Sequence, residues 1–111
     1  MTQTYKILGQ LYLTGNTSGI LYTVPAAAQC VVSTITACNH FTGESRVSVT
    51  IHLTGEADAS KQYIYREIPL PRYDTYTLNI GITLSGADQI RALQHTPNAS
   101  GSFNAFGSEV T

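Results

Sequence analysis

Three histidines are the side chains of this sequence best suited to metal binding, and their spacing argues against a metal site. His40, His52 and His95 form no His-x-x-x-His pair, and no Cys-x-x-Cys motif is present. Structural and catalytic zinc sites rely on such short ligand spacings. We therefore expect no metal and no other cofactor. His52 alternates with Ser48 and Thr50 in a period of two, which predicts that it faces solvent from a β-strand.

The two cysteines could form a disulfide only if their Cα atoms came within about 7 Å. Cys30 and Cys38 both lie in one strand-like segment, where steps of ~3.3 Å place them roughly 26 Å apart. Both share the parity of Val32, so we predict that both are buried free thiols. Free thiols fit a reducing compartment.

The sequence contains no recognisable catalytic signature. A Gly-x-Ser-x-Gly elbow, a Walker loop and a dinucleotide fingerprint are all missing, and the acidic residues form no obvious acid–base pair. Asp58, Asp74 and Asp88 lie in predicted turns, where aspartate caps backbone amides, and Asp88 is expected to close the turn that begins at Ser85. We therefore do not expect an enzyme.

A group of tyrosines and arginines in the second half of the chain is the best candidate for a subunit-contact surface. Both residue types are enriched at interface hot spots, because each combines contact area with a polar tip. The group consists of Tyr63, Tyr65, Arg66, Arg72, Tyr73 and Tyr76. The plainer alternative is that these are ordinary sheet tyrosines packed on their neighbours. A third alternative is a glycan-binding platform made of Tyr63, Tyr65, Tyr73 and His95.

Alternating apolar and polar residues predict the elements that carry these side chains. The segments 47–53 and 76–84 alternate most regularly, which is typical of antiparallel strands with one solvated face. Six further strands are predicted at 5–13, 20–24, 30–38, 62–68, 89–94 and 102–110. The fold class is therefore all-β: an antiparallel β-sandwich of about eight short strands, resembling a jelly roll. Gly81 is expected to mark a bulge, and 56–62 is the only stretch with helix-friendly composition.

The length of 111 residues fits a single domain, residues 1–111, with residues 1–10 as a candidate extended arm that could add a strand to a neighbour's sheet. The net charge of −1 argues against binding to nucleic acid or an anionic membrane, and no apolar run approaches a membrane span. Charged residues make up 12% of the chain, against about 25% in average globular proteins. The deficit indicates either a surface of hydroxyl and amide side chains or a surface covered by neighbouring subunits.

The order of several strand and turn segments resembles a known group of proteins. In the first half these segments are 6–10, 21–26, 31–35 and Cys38-Asn39; in the second they are 63–65, Asp74-Thr75, Leu78, 81–84, Asp88 and 103–109. Over nearly its whole length the chain is similar to small virion structural proteins of tailed phages, especially phages of cyanobacteria. It departs from that pattern at Pro69-Leu70-Pro71 and in the polar loop at 56–60.

The resemblance implies a virion component that acts through subunit contacts, located in the virion and assembled in the host cytoplasm. We expect a capsid decoration or cement protein bound to the outer surface of the head, where it would stabilise the junctions between capsomers. Its partners would be the major capsid protein or other virion proteins and further copies of itself, with a trimer favoured. A tail, neck or baseplate component is one alternative, and a carbohydrate-binding module is another.

Overall fold

Eight β-strands account for most of the chain in the computed structural model, which describes residues 3–111. The strands are β1 (Gln3–Thr14), β2 (Ser18–Thr23), β3 (Gln29–Asn39), β4 (Ser45–His52), β5 (Tyr63–Leu70), β6 (Thr75–Ser85), β7 (Gln89–Gln94) and β8 (Ser100–Val110). Two short 3₁₀ turns, Leu53–Gly55 and Ser60–Gln62, lie in the connection between β4 and β5. The helix-friendly stretch at 56–62 therefore contributes only the second of these turns.

The strands form two four-stranded antiparallel sheets. Sheet A has the order β1-β8-β3-β6, and sheet B has the order β2-β7-β4-β5. The first half of the chain thus pairs with the second half as one long hairpin. In this hairpin β1 pairs with β8, β2 with β7, β3 with β6 and β4 with β5. Hydrogen bonds from β8 to β3 and from β7 to β4 then join the rolled ribbon into two layers. This is the strand order of a jelly roll, and the predicted fold class is confirmed.

The core lies between the two sheets and is built from the inward positions of the alternating strands. Ile35 and Phe103 of sheet A and Val49 and Ile90 of sheet B are all at most 1% exposed. The molecule measures 46 × 27 × 18 Å. The shortest dimension fits two sheets stacked about 10 Å apart plus their outer side chains, so each sheet presents one broad outer face.

A line of bulges crosses sheet A and changes which side chains point inward. The register shifts at Leu8 in β1, at Ser33 in β3, and next to Gly81 in β6. The predicted bulge at Gly81 is confirmed. In β3 the extra residue moves the buried parity from Val32 to Ile35, so the prediction that Cys38 is buried beside Cys30 was wrong. Both cysteines are free, but only Cys30 is buried, and Cys38 points to the outer face.

Residues 1 and 2 of the candidate arm lie outside the described residues, and the structure places residues 3–10 in β1. β1 is the edge strand of sheet A, paired with β8 along its length. Gly9 allows β1 to approach sheet B closely, because a Cβ there would lie 2.0 Å from the carbonyl oxygen of Leu21. Within residues 3–111 no helix has the length and hydropathy needed to cross a membrane.

Candidate functional site: the two outer faces of the sandwich

The predicted tyrosine–arginine group is divided between different parts of the molecule. Tyr63 and Arg66 lie on the outer side of sheet B, whereas Tyr65 packs towards the core. Arg72 and Tyr73 lie in the β5–β6 loop, at the other end of β5, which spans at most roughly 23 Å. Tyr76 is 41% exposed at the open edge of sheet A.

Two matched arginine–tyrosine stacks remain from this group. The guanidinium of Arg66 lies 4.8 Å from the ring centre of Tyr63, and that of Arg72 lies 5.0 Å from the ring centre of Tyr73. Such cation–π contacts orient the guanidinium without neutralising its charge. His95 is separate from both stacks and hydrogen-bonds the Ser48 hydroxyl at 2.7 Å. The four residues of the predicted glycan platform therefore do not form one face.

The outer face of sheet A is a regular array without charged side chains. Its four strands align in five cross-strand rows of four residues. Row by row these are Gln3, Val110, Gln29 and Ser85; Tyr5, Ser108, Val31 and Thr83; Ile7, Phe106, Thr34 and Asn79; Gln10, Asn104, Thr36 and Thr77; Tyr12, Ser102, Cys38 and Thr75. These twenty positions include no Asp, Glu, Lys, Arg or His, although the imidazole of His40, just beyond the last row, reaches Ser102 at 2.9 Å and packs edge-on against the Tyr12 ring. The shortage of charged residues in the chain is thus most marked on this one face.

Exposed apolar side chains interrupt the hydroxyl and amide groups of this face. Tyr5 is 79% exposed, Tyr12 59% and Ile7 54%, all on the edge strand β1. Few side chains of the face bond to one another; Thr34 reaches Asn79 at 3.3 Å. Charge depletion with interspersed aromatic residues is the compositional signal of an interface core.

The part of the outer face of sheet B formed by β4 is covered by the residues between β4 and β5. Ser48, Thr50 and His52 point outward in the register of the sheet but are 0–3% exposed. The prediction that His52 faces solvent was therefore wrong. Residues 53–62 fold back over β4, and the bulged part of β5 covers Ser48, whose hydroxyl accepts the N–H of Glu67 at 2.7 Å. Alternation alone gives no information about such a cover.

His52 holds this cover in place through both ring nitrogens. Nδ1 lies 2.9 Å from the carbonyl oxygen of Glu56, which can only accept a hydrogen bond, so Nδ1 carries the proton. Nε2 then accepts from the hydroxyl of Thr50 at 3.0 Å. Gln62 clamps the same segment, since its amide donates to the Ala57 carbonyl and accepts the Ala59 N–H, both at 2.8 Å.

Between the cover and β7 lies a polar cleft of about 260 Å³. Its lining residues are Ser18, Thr50, His52, Asp58, Ala59, Ser60, Gln62, Tyr63, Arg66, Arg91 and Leu93. Arg91 contacts Asp58 at 3.4 Å and donates to the Gln89 side chain at 2.8 Å. The alternation of apolar and polar residues did not predict that Arg91, Asp58 and Gln62 would line a common cleft. The length of the β4–β5 connection was the available hint, because hairpin loops usually have 2–5 residues.

A charged network joins the edge strands of the two sheets. Glu109 of β8 accepts hydrogen bonds from the Lys6 ammonium at 2.9 Å and from the Tyr22 hydroxyl of β2. The Tyr22 bond, followed by that from Lys6, lowers the pKa of the Glu109 carboxyl. Burial and the hydrogen bond to Glu109 raise the pKa of Tyr22, and burial raises the pKa of the neighbouring Cys30 thiol.

Asp88 has the predicted turn-closing role, and it also anchors the cover. Its carboxylate accepts the Ser85 N–H at 2.9 Å and the Thr54 N–H at 3.0 Å. Among residues 3–111 no three His, Cys, Asp or Glu side chains are grouped so as to hold a metal ion. The features on which a function can be argued are therefore the uncharged face, the polar cleft and the edge strands.

Comparison with known proteins identifies the fold in other assemblies. No protein-family model and no curated protein sequence matches the chain. A chain in the acidic stable capsid structure of Helicobacter pylori bacteriophage KHP30 is similar at a TM-score of 0.62 and 15% identity, covering 99% of this chain and 98% of that one. A chain of the T13 particle of infectious bursal disease virus has a TM-score of 0.60 and 9% identity, but the match spans 97% of this chain and only 31% of that one.

The fold also occurs outside viruses. A chain of the Bacillus endospore appendages, described as disulfide-linked pili, matches at a TM-score of 0.55 and 14% identity, over 99% of this chain and 88% of that one. At these identities the likeness establishes a common fold. The choice among functions has to be argued from the surfaces of the chain itself.

Proposed function

We propose that the protein is a virion structural protein, a decoration or cement protein that docks on a phage head through the outer face of sheet A. The uncharged face carries this proposal. Solvent-exposed surfaces typically carry about 25–35% charged side chains, whereas this face has none at its twenty positions. Twenty positions reach the lower end of the roughly 20–30 residues that each partner contributes to a standard interface.

The physical fit to a subunit surface is good. Hydroxyl and amide groups of Thr34, Thr36 and Asn104 can form hydrogen bonds with a partner without the desolvation penalty of a buried ion. Tyr5, Ile7 and Tyr12 provide apolar contact area along one edge. The partner would be the major capsid protein or another virion protein. Association in the host cytoplasm is compatible with two free thiols.

The mechanism would be mass action. A protein that binds only the assembled lattice stabilises it by its binding free energy, which grows with the free concentration of the protein. The full-length match to a chain of a phage capsid structure supports this role, as does the resemblance to small phage structural proteins.

Homo-oligomerisation is part of the proposal, with a trimer favoured because threefold lattice positions require threefold symmetry. The segment 3–10 would contribute contacts between copies, since β1 is an unshielded edge of sheet A that can accept a neighbouring strand. The exposed residues Arg72, Tyr73 and Tyr76 lie in the β5–β6 loop and in β6, the opposite edge strand of sheet A, and would add contact area there. Light scattering at micromolar concentration should give about three times the chain mass; a monomeric mass would contradict the trimer.

The alternative is a tail, neck or baseplate component, and copy number separates it from a head protein. The experiment is quantitative mass spectrometry of purified phage particles together with imaging of the particles labelled on this protein. Hundreds of copies on the head surface are expected. A few copies or dozens at the tail would favour the alternative, and absence from particles would overturn the virion role.

A further inference from the structure

We propose that the cleft on sheet B binds a carboxylate-bearing sugar, a uronate, one ring at a time. This inference does not depend on docking through sheet A, because the cleft lies on the opposite face of the sandwich. If sheet A does dock on a particle, the cleft is left facing solvent.

The cleft has an excess of positive charge. Its lining contains two arginines and one aspartate. Arg91 is already contacted by Asp58 at 3.4 Å, whereas Arg66 is stacked on Tyr63 and forms no ion pair within residues 3–111. One oriented guanidinium without an acidic partner is suited to a single carboxylate, which it can bind through two parallel hydrogen bonds.

The remaining polar groups suit a polyhydroxylated ligand. The hydroxyls of Ser18, Ser60 and Tyr63 can donate to or accept from sugar hydroxyls, and the exposed carboxylate of Asp58 can accept from them. The floor is preorganised, since Thr50 and His52 are buried and hydrogen-bonded to each other. Well-fixed polar groups that converge on a cleft are what orient a small ligand.

The volume limits the ligand to about one ring. At about 260 Å³ the cleft is smaller than the ~300–1,000 Å³ of pockets for drug-sized ligands. A phosphate group fits less well than a carboxylate. Phosphate sites usually combine several cations or a row of backbone N–H groups at a helix N-terminus, and the described chain contains no α-helix.

The test is a titration of the purified protein with glucuronate, followed by NMR chemical shifts and calorimetry. Glucose, acetate and inorganic phosphate serve as the neutral, ring-free and alternative-anion probes. We expect glucuronate to bind at least tenfold more tightly than each of the three, with shifts confined to residues of the cleft. No shift with glucuronate up to tens of millimolar, or equal binding of acetate or phosphate, would overturn the proposal.

A matched pair of variants locates the site. Arg66→Gln should weaken glucuronate binding at least tenfold. Arg72→Gln removes the equivalent arginine of the other stack and should leave binding unchanged. Equal losses in both variants, or no loss in Arg66→Gln, would contradict the assignment. Both substitutions change exposed side chains, and thermal unfolding checks that both variants fold.

A tri-uronate distinguishes the two sources of such a ligand. Binding tighter than that of glucuronate would identify a polysaccharide chain, and weaker binding would identify a free sugar acid; either result supports recognition of the uronate ring. Because this experiment uses the protein without particles, its outcome is independent of the copy-number measurement that tests the virion role.

Discussion

The two outer faces of this jelly roll have opposite character, although both belong to four-stranded sheets of one small sandwich. Sheet A presents twenty uncharged positions in cross-strand rows, and all of them except Ser108 are at least partly exposed. Sheet B and the residues that cover it hold seven of the thirteen charged residues, namely Arg46, Glu56, Asp58, Lys61, Arg66, Glu67 and Arg91. The difference teaches that a low average charge can arise from one face alone. On sheet B several outer polar residues are buried and hydrogen-bonded within the chain, whereas on sheet A few of the outer side chains bond to one another.

The largest expected contrast is in thiol accessibility, which tests the line of bulges in sheet A. In the folded protein, alkylation of Cys38 on the outer face should be about 100-fold faster than alkylation of Cys30. Cys30 is buried and its thiol pKa is raised by burial, so it reacts mainly after unfolding. Mass spectrometry of Cys30→Ala and Cys38→Ala variants measures each thiol separately. Equal rates would contradict the outward orientation of Cys38 that the bulge at Ser33 produces.

The buried histidine of sheet B should matter far more for stability than the exposed histidine beside sheet A. His52→Ala removes the partner of Thr50 and of the Glu56 carbonyl, so we expect the free energy of unfolding to fall by about 2–3 kcal/mol. His40→Ala is the control: His40 is exposed and bonds only to Ser102 across sheet A. A loss of about 0.5 kcal/mol or less is expected there. Urea unfolding of both variants makes the measurement, and equal losses would refute the covering role of residues 53–62.

A smaller effect is expected where the two sheets meet at β1 and β2. Glu109→Gln removes the charge that Lys6 and Tyr22 stabilise, so the free energy of unfolding at pH 7 should fall by about 1–2 kcal/mol. The folded-state pKa of Glu109 is lowered relative to the unfolded chain. Its contribution is therefore present above the unfolded value of about 4.3 and is lost as the pH falls through the folded value.

Urea unfolding of Glu109→Gln and the parent chain between pH 7 and pH 3 checks this prediction. The difference between the two proteins should be largest near neutral pH and should shrink below about pH 4. A difference that stays constant over this range would mean that Glu109 acts through shape rather than charge.

The sequence predicted the strands well because apolar and polar residues alternate along them, most regularly in the segments that form β4 and β6. In β6 the bulge does not change which side chains point inward, because it inserts two residues, Ile80 and Gly81. Leu78, Ile82 and Leu84 therefore all lie on the inner side, as the alternation predicts. In β3 a single extra residue at Ser33 reversed the parity, and this moved Cys38 outward. A serine at position 33 does not by itself predict a bulge.

The surfaces were harder to predict, because they depend on register and on loops. The polar positions Ser48, Thr50 and His52 looked solvent-exposed, since alternation does not reveal that residues 53–62 fold over them. Tyr63 and Tyr73 are close in sequence, but Tyr63 begins β5 and Tyr73 lies in the loop beyond its other end. The charge deficit was visible in the composition, but its concentration on sheet A requires the cross-strand pairing of β1, β8, β3 and β6.

The most direct test of the central claim is a matched pair of Thr→Lys substitutions, assayed for binding to phage particles that lack the protein. Thr36 lies near the centre of the sheet A face, and Thr23 lies on the exposed edge of the sheet B face. A lysine buried in an uncharged interface has no partner, so Thr36→Lys should abolish binding while Thr23→Lys binds like the parent chain. Circular dichroism confirms that both variants fold. Normal binding of Thr36→Lys, or loss of binding in Thr23→Lys alone, would contradict docking through sheet A.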